Sequence, residues 1–99
     1  MDTEIEAEWH EAKRLSNLAK HGIDFVDAAT IWCGSVANRR SSYPQEERFI
    51  SVGTMGNRII VVVWTQRGTR RRLISARMAR TNERQCYAAF LEGVGQRPH

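Results

Sequence analysis

The sequence has few of the residues that cross-link or stiffen a small protein, with two cysteines and two prolines in 99 residues. Cys33 and Cys86 form no CxxC pair and no Cys/His cluster, so neither a disulfide framework nor a zinc site is predicted. Both thiols are expected to be buried. No apolar run approaches the roughly 20 residues of a membrane-spanning helix, and the N-terminus lacks a secretory pattern. We therefore expect a cytoplasmic protein.

Lysine is also scarce, and arginine takes its place. The chain has 2 Lys and 13 Arg, a preference that favours planar, bidentate contacts with phosphate over diffuse charge. The charge is uneven, because residues 1–11 hold five acids whereas residues 58–84 hold eight arginines and one acid, Glu83. Such a basic segment is typical of nucleic-acid binding, but charge alone equally allows a solvated basic face.

The length and composition are those of one small globular domain. With 41% apolar and 26% charged residues, the chain is expected to fold as a single unit over 1–99, with its core at about 5–91. Loose tails are expected at 1–4 and 93–99.

Hydrophobic periodicity predicts a strand and two helices in the first third of the chain. Ile5–Trp9 alternates as a short strand, and His10–His21 has helical spacing that ends at Gly22, a suitable left-handed cap. A second helix begins after Asp24, a good N-cap, and ends before Gly34. The first helix is expected to bury the face formed by Ala12, Leu15 and Ala19.

After these helices the period changes to two, which predicts a β meander. The expected strands are Ser35–Ser41, Arg48–Thr54, Arg58–Gln66 and Thr69–Met78. They are joined by a loop at Ser42–Glu46 and by turns at Met55–Asn57 and Arg67-Gly68.

A last helix, capped by Thr81, is expected to place Tyr87, Phe90 and Leu91 on one side. The predicted fold class is therefore α+β. It consists of a short N-terminal strand, two helices, an antiparallel meander sheet and a C-terminal helix.

The first helix carries polar residues that can form a site. Lys13, Asn17 and Lys20 are spaced by four and three residues, so with His21 they are expected to project from one sector. Cations beside an imidazole suit phosphodiester chemistry, because the cations hold the phosphate and the imidazole moves a proton near neutral pH. The alternative is a solvated helix face whose terminal cations interact with the helix dipole.

The last strand is the richest in arginine. Alternation places four of its residues on one face, namely Arg71, Leu73, Ser75 and Arg77. Arg77 and Arg80, at the strand-to-helix turn, can converge on one phosphate. The run Arg70–Arg72 is interpreted as protection of a sheet edge against aggregation.

Glu47 and Arg48 begin the strand that follows the Pro44 loop. They can be a surface pair, or a general base beside a phosphate clamp, and the residues alone leave both readings open. The chain has no Walker-type loop, no HExxH and no GxSxG, and its scattered carboxylates suggest no two-metal site. A nuclease built on this chain is expected to work without a metal or a cofactor.

Taken together, these residues resemble those of the BrnT toxins, which are similar in architecture to the RelE-like ribonucleases. The resemblance covers about Glu8–Tyr87. Its first part comprises Trp9–Lys13, Asn17, Lys20–Phe25 and Ala28. Its second part comprises Glu47-Arg48, Gly53, Val61–Thr65, Arg67-Gly68, Arg72–Ala79, Glu83-Arg84 and Tyr87.

The resemblance implies an RNA-cleaving toxin that slows translation. It also implies neutralisation by a BrnA-like antitoxin, whose DNA-binding part lets the complex repress its operon. The residues that it marks as catalytic are Lys20, His21, Glu47, Arg77 and Arg80. The residues then expected to bind RNA are Lys13, Asn17, Arg48, Arg67 and Arg72.

The expected reaction is attack of the RNA 2′-hydroxyl on the adjacent phosphate, leaving a cyclic phosphate and a 5′-hydroxyl. Glu47 or His21 would be the base, and the charge on the phosphorane would be stabilised by Lys20, Arg77 and Arg80. The alternatives are a non-enzymatic nucleic-acid-binding module and a structural protein whose basic face meets an acidic partner segment.

Overall fold

The computed structural model describes residues 5–41 and 45–96, with side chains up to residue 93. The strands are β1 (Glu6–Trp9), β2 (Ala37–Arg40), β3 (Phe49–Met55), β4 (Arg58–Arg67) and β5 (Arg70–Met78). The helices are α1 (Glu11–His21), α2 (Phe25–Ala28) with a 3₁₀ continuation (Ala29–Cys33), and α3 (Thr81–Gln96). These elements confirm the α+β class. The predicted tail at 1–4, the end of the other tail and loop residues 42–44 lie outside the described residues.

The strands form one five-stranded sheet in the order β1-β5-β4-β3-β2. The strands from β2 to β5 pair antiparallel with their chain neighbours, which confirms the predicted meander. β1 pairs in parallel with β5, so that Glu6 lies opposite Arg70 and Trp9 opposite Leu73. Because β5 is thereby an internal strand, the interpretation of Arg70–Arg72 as protection of a sheet edge is wrong.

The caps of the first two helices form at the predicted residues. Gly22 ends α1 with φ 70°, and its amide donates to the Leu18 carbonyl at 2.9 Å. Asp24 caps α2, because its carboxylate accepts a 3.0 Å hydrogen bond from the Val26 amide. These local signals therefore fix the sharp turn between the two helices.

The core lies between the sheet and the layer of α1, α2 and the 3₁₀ helix, and its buried members include Phe25, Ile31 and Leu73. Trp9 meets Phe25 edge to face with ring centroids 6.1 Å apart, which ties β1 to α2. Gly53 allows close approach of the 3₁₀ helix, because an added Cβ would lie 2.8 Å from the Ile31 Cβ atom. The layer therefore packs directly on the backbone of β3.

α1 packs on the sheet through a polar residue. Asn17 is the buried residue of this helix, and its amide donates to the carbonyls of Ile23 and Ala76 and accepts from the Ala76 amide. Leu15 is 51% exposed. The other members of the predicted buried face are also exposed, namely Ala12 and Ala19. The predicted buried face of α1 is therefore wrong. The helix buries Asn17 instead, because this side chain forms hydrogen bonds with buried backbone groups of Ile23 and Ala76.

A β-bulge changes which residues of β5 share a face. Leu73 and Ser75 pair with adjacent residues of β4, so Ile74 is an extra residue. Arg71 therefore lies on the side of α1, as Leu73 does, whereas Ser75 and Arg77 lie on the opposite side, which α3 partly covers. The prediction that all four residues share one face is therefore wrong. Arg71 and Leu73 lie on one side of the sheet, and Ser75 and Arg77 lie on the other.

α3 begins one residue earlier than a cap at Thr81 predicts. The Arg80 carbonyl accepts from the Arg84 amide, so Arg80 occupies the N-cap position that was expected for Thr81. The Glu83 carboxylate accepts from the Arg80 amide at 2.8 Å, as an acid at this helix position commonly does. The helix continues to Gln96, so the tail expected from residue 93 is helical as far as that residue.

Cys33 and Cys86 are both exposed, which corrects the expectation of buried thiols. Cys33 ends the 3₁₀ helix, and Cys86 lies on α3 at the groove described below. Within the described ranges, no helix is both long enough and apolar enough to cross a membrane.

Candidate functional site

A groove of about 300 Å³ lies between α3 and the sheet. Its floor includes Ile50 and Val52 of β3, and its helical wall includes Asn82 and Glu83. Tyr87 anchors this wall, because its hydroxyl donates to the Ser35 carbonyl at 2.7 Å. The groove thus combines an apolar floor with a polar wall on the side of the sheet away from α1.

Arg77 stands beside the groove. It shares a cross-sheet row with Val61 and Val52, which places its side chain on the groove side. Its guanidinium donates to both carboxylate oxygens of Glu83 at 2.8 Å, and the two side chains are 24% and 17% exposed. The hydrogen bond from Arg77 lowers the pKa of Glu83 to about 2. Glu83 is therefore a weak base, and its role is to orient Arg77.

Arg80 is held by the same carboxylate. Its backbone amide donates to Glu83, and its side chain is exposed at the turn between β5 and α3. The carboxylate therefore joins the Arg77 guanidinium to the Arg80 backbone at the end of β5, and the Arg80 side chain extends from this corner into solvent. Glu83 was not among the site residues expected from the sequence, although it occurs in the family pattern.

Lys20 and His21 lie at the same end of β5, on the α1 side of the sheet. Both are exposed. The Asn17 amide donates to the Ile23 carbonyl at 3.1 Å and to the Ala76 carbonyl at 2.9 Å. Asn17 thereby connects the end of α1, where Lys20 and His21 lie, to Ala76 of β5, the residue before Arg77.

Asn17 does not belong to the exposed sector that was expected from its spacing with Lys13 and Lys20. It is 7% exposed, and its amide makes three hydrogen bonds inside the fold. Lys13 and Lys20 remain exposed on α1. The placement of Asn17 in the RNA-binding set is therefore corrected, because its polar atoms are already used.

Glu47 lies towards the other end of the sheet. Its carbonyl accepts from the Thr65 hydroxyl at 2.7 Å, and its carboxylate is 3.1 Å from the Arg40 guanidinium. Thr65 lies four residues along β4 from Val61, which is opposite Arg77. That separation is about 13 Å at 3.3 Å per residue. The structure therefore does not bring Glu47 and Arg77 into one cluster.

Two expected RNA-binding arginines share this second end. Arg48 lies just before β3, with its Nε atom 3.1 Å from a Glu46 carboxylate oxygen. Arg67 is exposed at the end of β4. Glu47, Arg48 and Arg67 thus lie at the opposite end of the sheet from Arg77 and Arg80.

The arginine run of β5 is paired with the acids of β1. Arg72 donates to Glu8 at 2.8 Å, and this hydrogen bond lowers the pKa of Glu8. Arg70 lies 3.3 Å from Glu6. The charge segregation along the sequence is therefore partly cancelled in the fold, and Arg72, expected to bind RNA, is engaged by Glu8.

The site is rich in cations and poor in clustered metal ligands. Within residues 5–41 and 45–96, no three His, Cys, Asp or Glu side chains are grouped closely enough to hold a metal ion. The charged side chains that line the groove include those of Arg39 and Glu83, and Arg77 and Arg80 stand beside it. Such an arrangement suits the binding of a phosphate group.

Comparison with known proteins assigns the family. The family model described as "Ribonuclease toxin, BrnT, of type II toxin-antitoxin system" matches residues 9–83. The chain belongs to the BrnT family. A comparison with curated proteins finds no match.

A solved BrnT structure shares the fold. The crystal structure of the Brucella abortus ribonuclease toxin BrnT aligns with a TM-score of 0.60 and 27% sequence identity, covering 79% of this chain and 100% of that chain. The match confirms the resemblance inferred from the sequence. The region that matches the BrnT model begins at Trp9 and ends at Glu83, the carboxylate that orients Arg77.

Proposed function

We propose that this BrnT-family chain is an endoribonuclease whose active site lies at the end of β5 beside the α3 groove. The observation that supports this proposal is that one carboxylate, Glu83, holds the Arg77 guanidinium and the Arg80 backbone amide there. Two arginines at one corner can bind a phosphodiester and stabilise the extra negative charge of its transition state. The reaction would need no metal ion, because these guanidiniums supply the positive charge.

In the proposed reaction a base removes the proton of the 2′-hydroxyl, and the 2′ oxygen forms a bond to phosphorus. The bond from phosphorus to the 5′ oxygen of the next nucleotide breaks, and that oxygen takes up a proton. The products are a 2′,3′-cyclic phosphate and a 5′-hydroxyl. Arg77, Arg80 and Lys20 would stabilise the charge, and Glu83 would keep Arg77 in place.

Of the two bases expected from the sequence, we propose His21. It lies at the Arg77 end of β5, on the α1 side of the sheet, whereas Glu47 lies about 13 Å away along β4 by strand geometry. An imidazole both accepts and donates protons near neutral pH, as this reaction requires. Lys13, Arg48 and Arg67 are then assigned to contacts with more distant parts of the RNA.

Cleavage of a labelled single-stranded RNA tests the proposal. We expect His21→Gln to lower the rate by about 10² to 10⁴, and Arg80→Ala to lower it by about 10² to 10³. Arg70→Gln is the matched control, because it removes one positive charge at the other end of β5. A 2′-deoxy substitution at the cut position should abolish cleavage, and EDTA should have no effect.

Four results would contradict the proposal. Cleavage at a 2′-deoxy position would exclude the 2′-hydroxyl as nucleophile, and inhibition by EDTA would exclude a metal-independent reaction. RNA that is bound but never cut would favour the non-enzymatic binding module. Loss of activity in Glu47→Gln, with His21→Gln fully active, would move the active site to the other end of the sheet.

We also propose a BrnA-like antitoxin as the partner of this chain, in keeping with the description of its family. Adding the purified antitoxin in equimolar amount should stop RNA cleavage. Operator DNA should be bound by the complex and not by this chain alone. Cleavage that continues in the complex would contradict this part of the proposal.

A further inference from the structure

Arg71 differs from the other arginines of the described chain. Six arginines have a carboxylate within 4.0 Å: Arg14, Arg40, Arg48, Arg70, Arg72 and Arg77. Arg84 binds a carbonyl and a hydroxyl, and four more are exposed: Arg39, Arg58, Arg67 and Arg80. Within the described ranges, Arg71 is the partly buried arginine whose side chain has neither an acidic partner nor a hydrogen bond. Burial lowers its pKa.

Two tryptophans hold the Arg71 guanidinium in place. It lies 4.3 Å from the ring centroid of Trp64 and 5.0 Å from that of Trp32. The two rings are nearly perpendicular, at 84°, and form a corner around the cation. The Ser51 hydroxyl accepts from both indole N–H groups, at 2.7 Å and 3.3 Å. Stacking therefore positions the guanidinium, while its N–H groups have no acceptor in the part of the chain that the structure describes.

The same row continues with alternating cations and rings. Phe49 stacks on Trp64 with centroids 4.7 Å apart, and the Arg40 guanidinium lies 5.9 Å from the Phe49 ring centroid. Arrays of arginines and aromatic rings are typical of surfaces that bind single-stranded nucleic acid. This row lies on the side of the sheet opposite the groove, at the end where β5 begins.

We propose that Arg71 binds a phosphate group of single-stranded RNA, in a second site away from the proposed active site. The planar guanidinium offers two parallel N–H donors that fit a phosphate. An anion would also relieve the cost of holding an unpaired cation in a partly buried position. The inference rests on the proposed function for the identity of the ligand, but it does not depend on cleavage.

Binding of an uncleavable probe tests the inference directly. A short single-stranded 2′-O-methyl RNA cannot be cut through the 2′ position, and its affinity can be measured by fluorescence anisotropy at several salt concentrations. We expect Arg71→Gln to reduce the slope of log affinity against log salt by about 0.7, the value of one phosphate contact on a single strand. Arg70→Gln, which removes the same charge from the adjacent residue on the other face, should leave the slope unchanged.

Tryptophan fluorescence provides a second measurement, because the Arg71 site is made of Trp32 and Trp64. The probe should change the emission of the wild type and not that of Arg71→Gln, whose fold is checked by circular dichroism. If inorganic phosphate gives the same Arg71-dependent change, the result supports the site and shows that phosphate, not the base, is recognised.

Several outcomes would overturn the inference. One is that Arg70→Gln and Arg71→Gln reduce the slope of log affinity against log salt equally. Another is that the RNA probe leaves the tryptophan emission of the wild type unchanged. Arg71-dependent binding of polyglutamate but not of the RNA probe would assign the site to an acidic protein segment instead. Absence of cleavage with intact Arg71-dependent binding would refute only the proposed function.

Discussion

Glu83 holds Arg77 with both carboxylate oxygens, each 2.8 Å from a guanidinium nitrogen, and one of these oxygens also accepts the Arg80 amide. One carboxylate therefore joins the end of β5 to the beginning of α3. The stability of this corner and the arrangement of its cations depend on the same side chain.

Glu83→Gln should reduce the free energy of unfolding by about 1.5–3 kcal/mol at neutral pH, the usual value of a hydrogen bond to a charged group. The measurement is urea denaturation. Glu92→Gln is the matched control, because Glu92 is an exposed acid on the same helix and should change stability by less than about 0.5 kcal/mol. Equal effects of the two substitutions would show that the ion pair between Arg77 and Glu83 contributes nothing to the free energy of unfolding.

The contribution of Glu83 should also depend on pH. The hydrogen bond from Arg77 lowers its pKa to about 2 in the folded protein, below the ordinary value of 4.5. Because the folded pKa is the lower one, the stabilisation is full above 4.5 and is lost as pH falls through about 2. The stability difference between wild type and Glu83→Gln should shrink across this window, and a constant difference would contradict the assignment.

Asn17→Ala should destabilise the fold by about 3 kcal/mol, since it leaves buried backbone groups of Ile23 and Ala76 without partners. Leu15→Ala on the same helix should change stability by less than about 0.5 kcal/mol, because Leu15 is 51% exposed. Chemical denaturation of both variants measures the difference. A larger loss from Leu15→Ala would restore the apolar face expected from the sequence.

Gly53→Ala should cost about 1–3 kcal/mol through overpacking. The added methyl group would lie 2.8 Å from the Ile31 Cβ atom and 2.9 Å from the Val36 Cγ1 atom. Combining it with Val36→Ala should recover part of the thermal stability. Gly34→Ala is the control, because its nearest neighbour would be 4.0 Å away. No recovery in the double variant would show that Val36 is not the obstacle.

Ser51→Ala should cost about 1–3 kcal/mol, because it leaves the buried indole N–H of Trp64 without an acceptor. Thermal melting followed by tryptophan fluorescence measures both the stability and the environment of the rings. Ser16→Ala, at an exposed position of α1, provides the comparison. Unchanged emission in Ser51→Ala would mean that the hydroxyl does not fix the corner around Arg71.

Local residue types predicted most of the secondary structure. Gly22 and Asp24 mark the caps that end α1 and begin α2, and the period-two pattern after Gly34 gives the four strands of the meander. These features depend on neighbours in the chain, so spacing alone reveals them. The family pattern likewise depends only on residue order, and the BrnT model matches it.

The faces of α1 and β5 could not be predicted in the same way. Apolar spacing favoured Leu15, but the fold buries Asn17, because its amide meets backbone groups that only tertiary packing brings near. Strand alternation put Arg71 and Arg77 on one face, but the bulge at Ile74 separates them. A bulge depends on how two strands pair, so it cannot be predicted from the alternation of residues along one strand.

Residue order alone predicts the order of the elements, the caps of the first two helices, the family and the excess of arginine. The partners of the arginines depend on the folded arrangement: the parallel pairing of β1 with β5 brings Glu8 to Arg72, and the start of α3 brings Glu83 to Arg77. The reason is that secondary structure follows from contacts a few residues apart. The partner of a charged side chain follows from which strands and helices meet, and these contacts join residues distant in the chain.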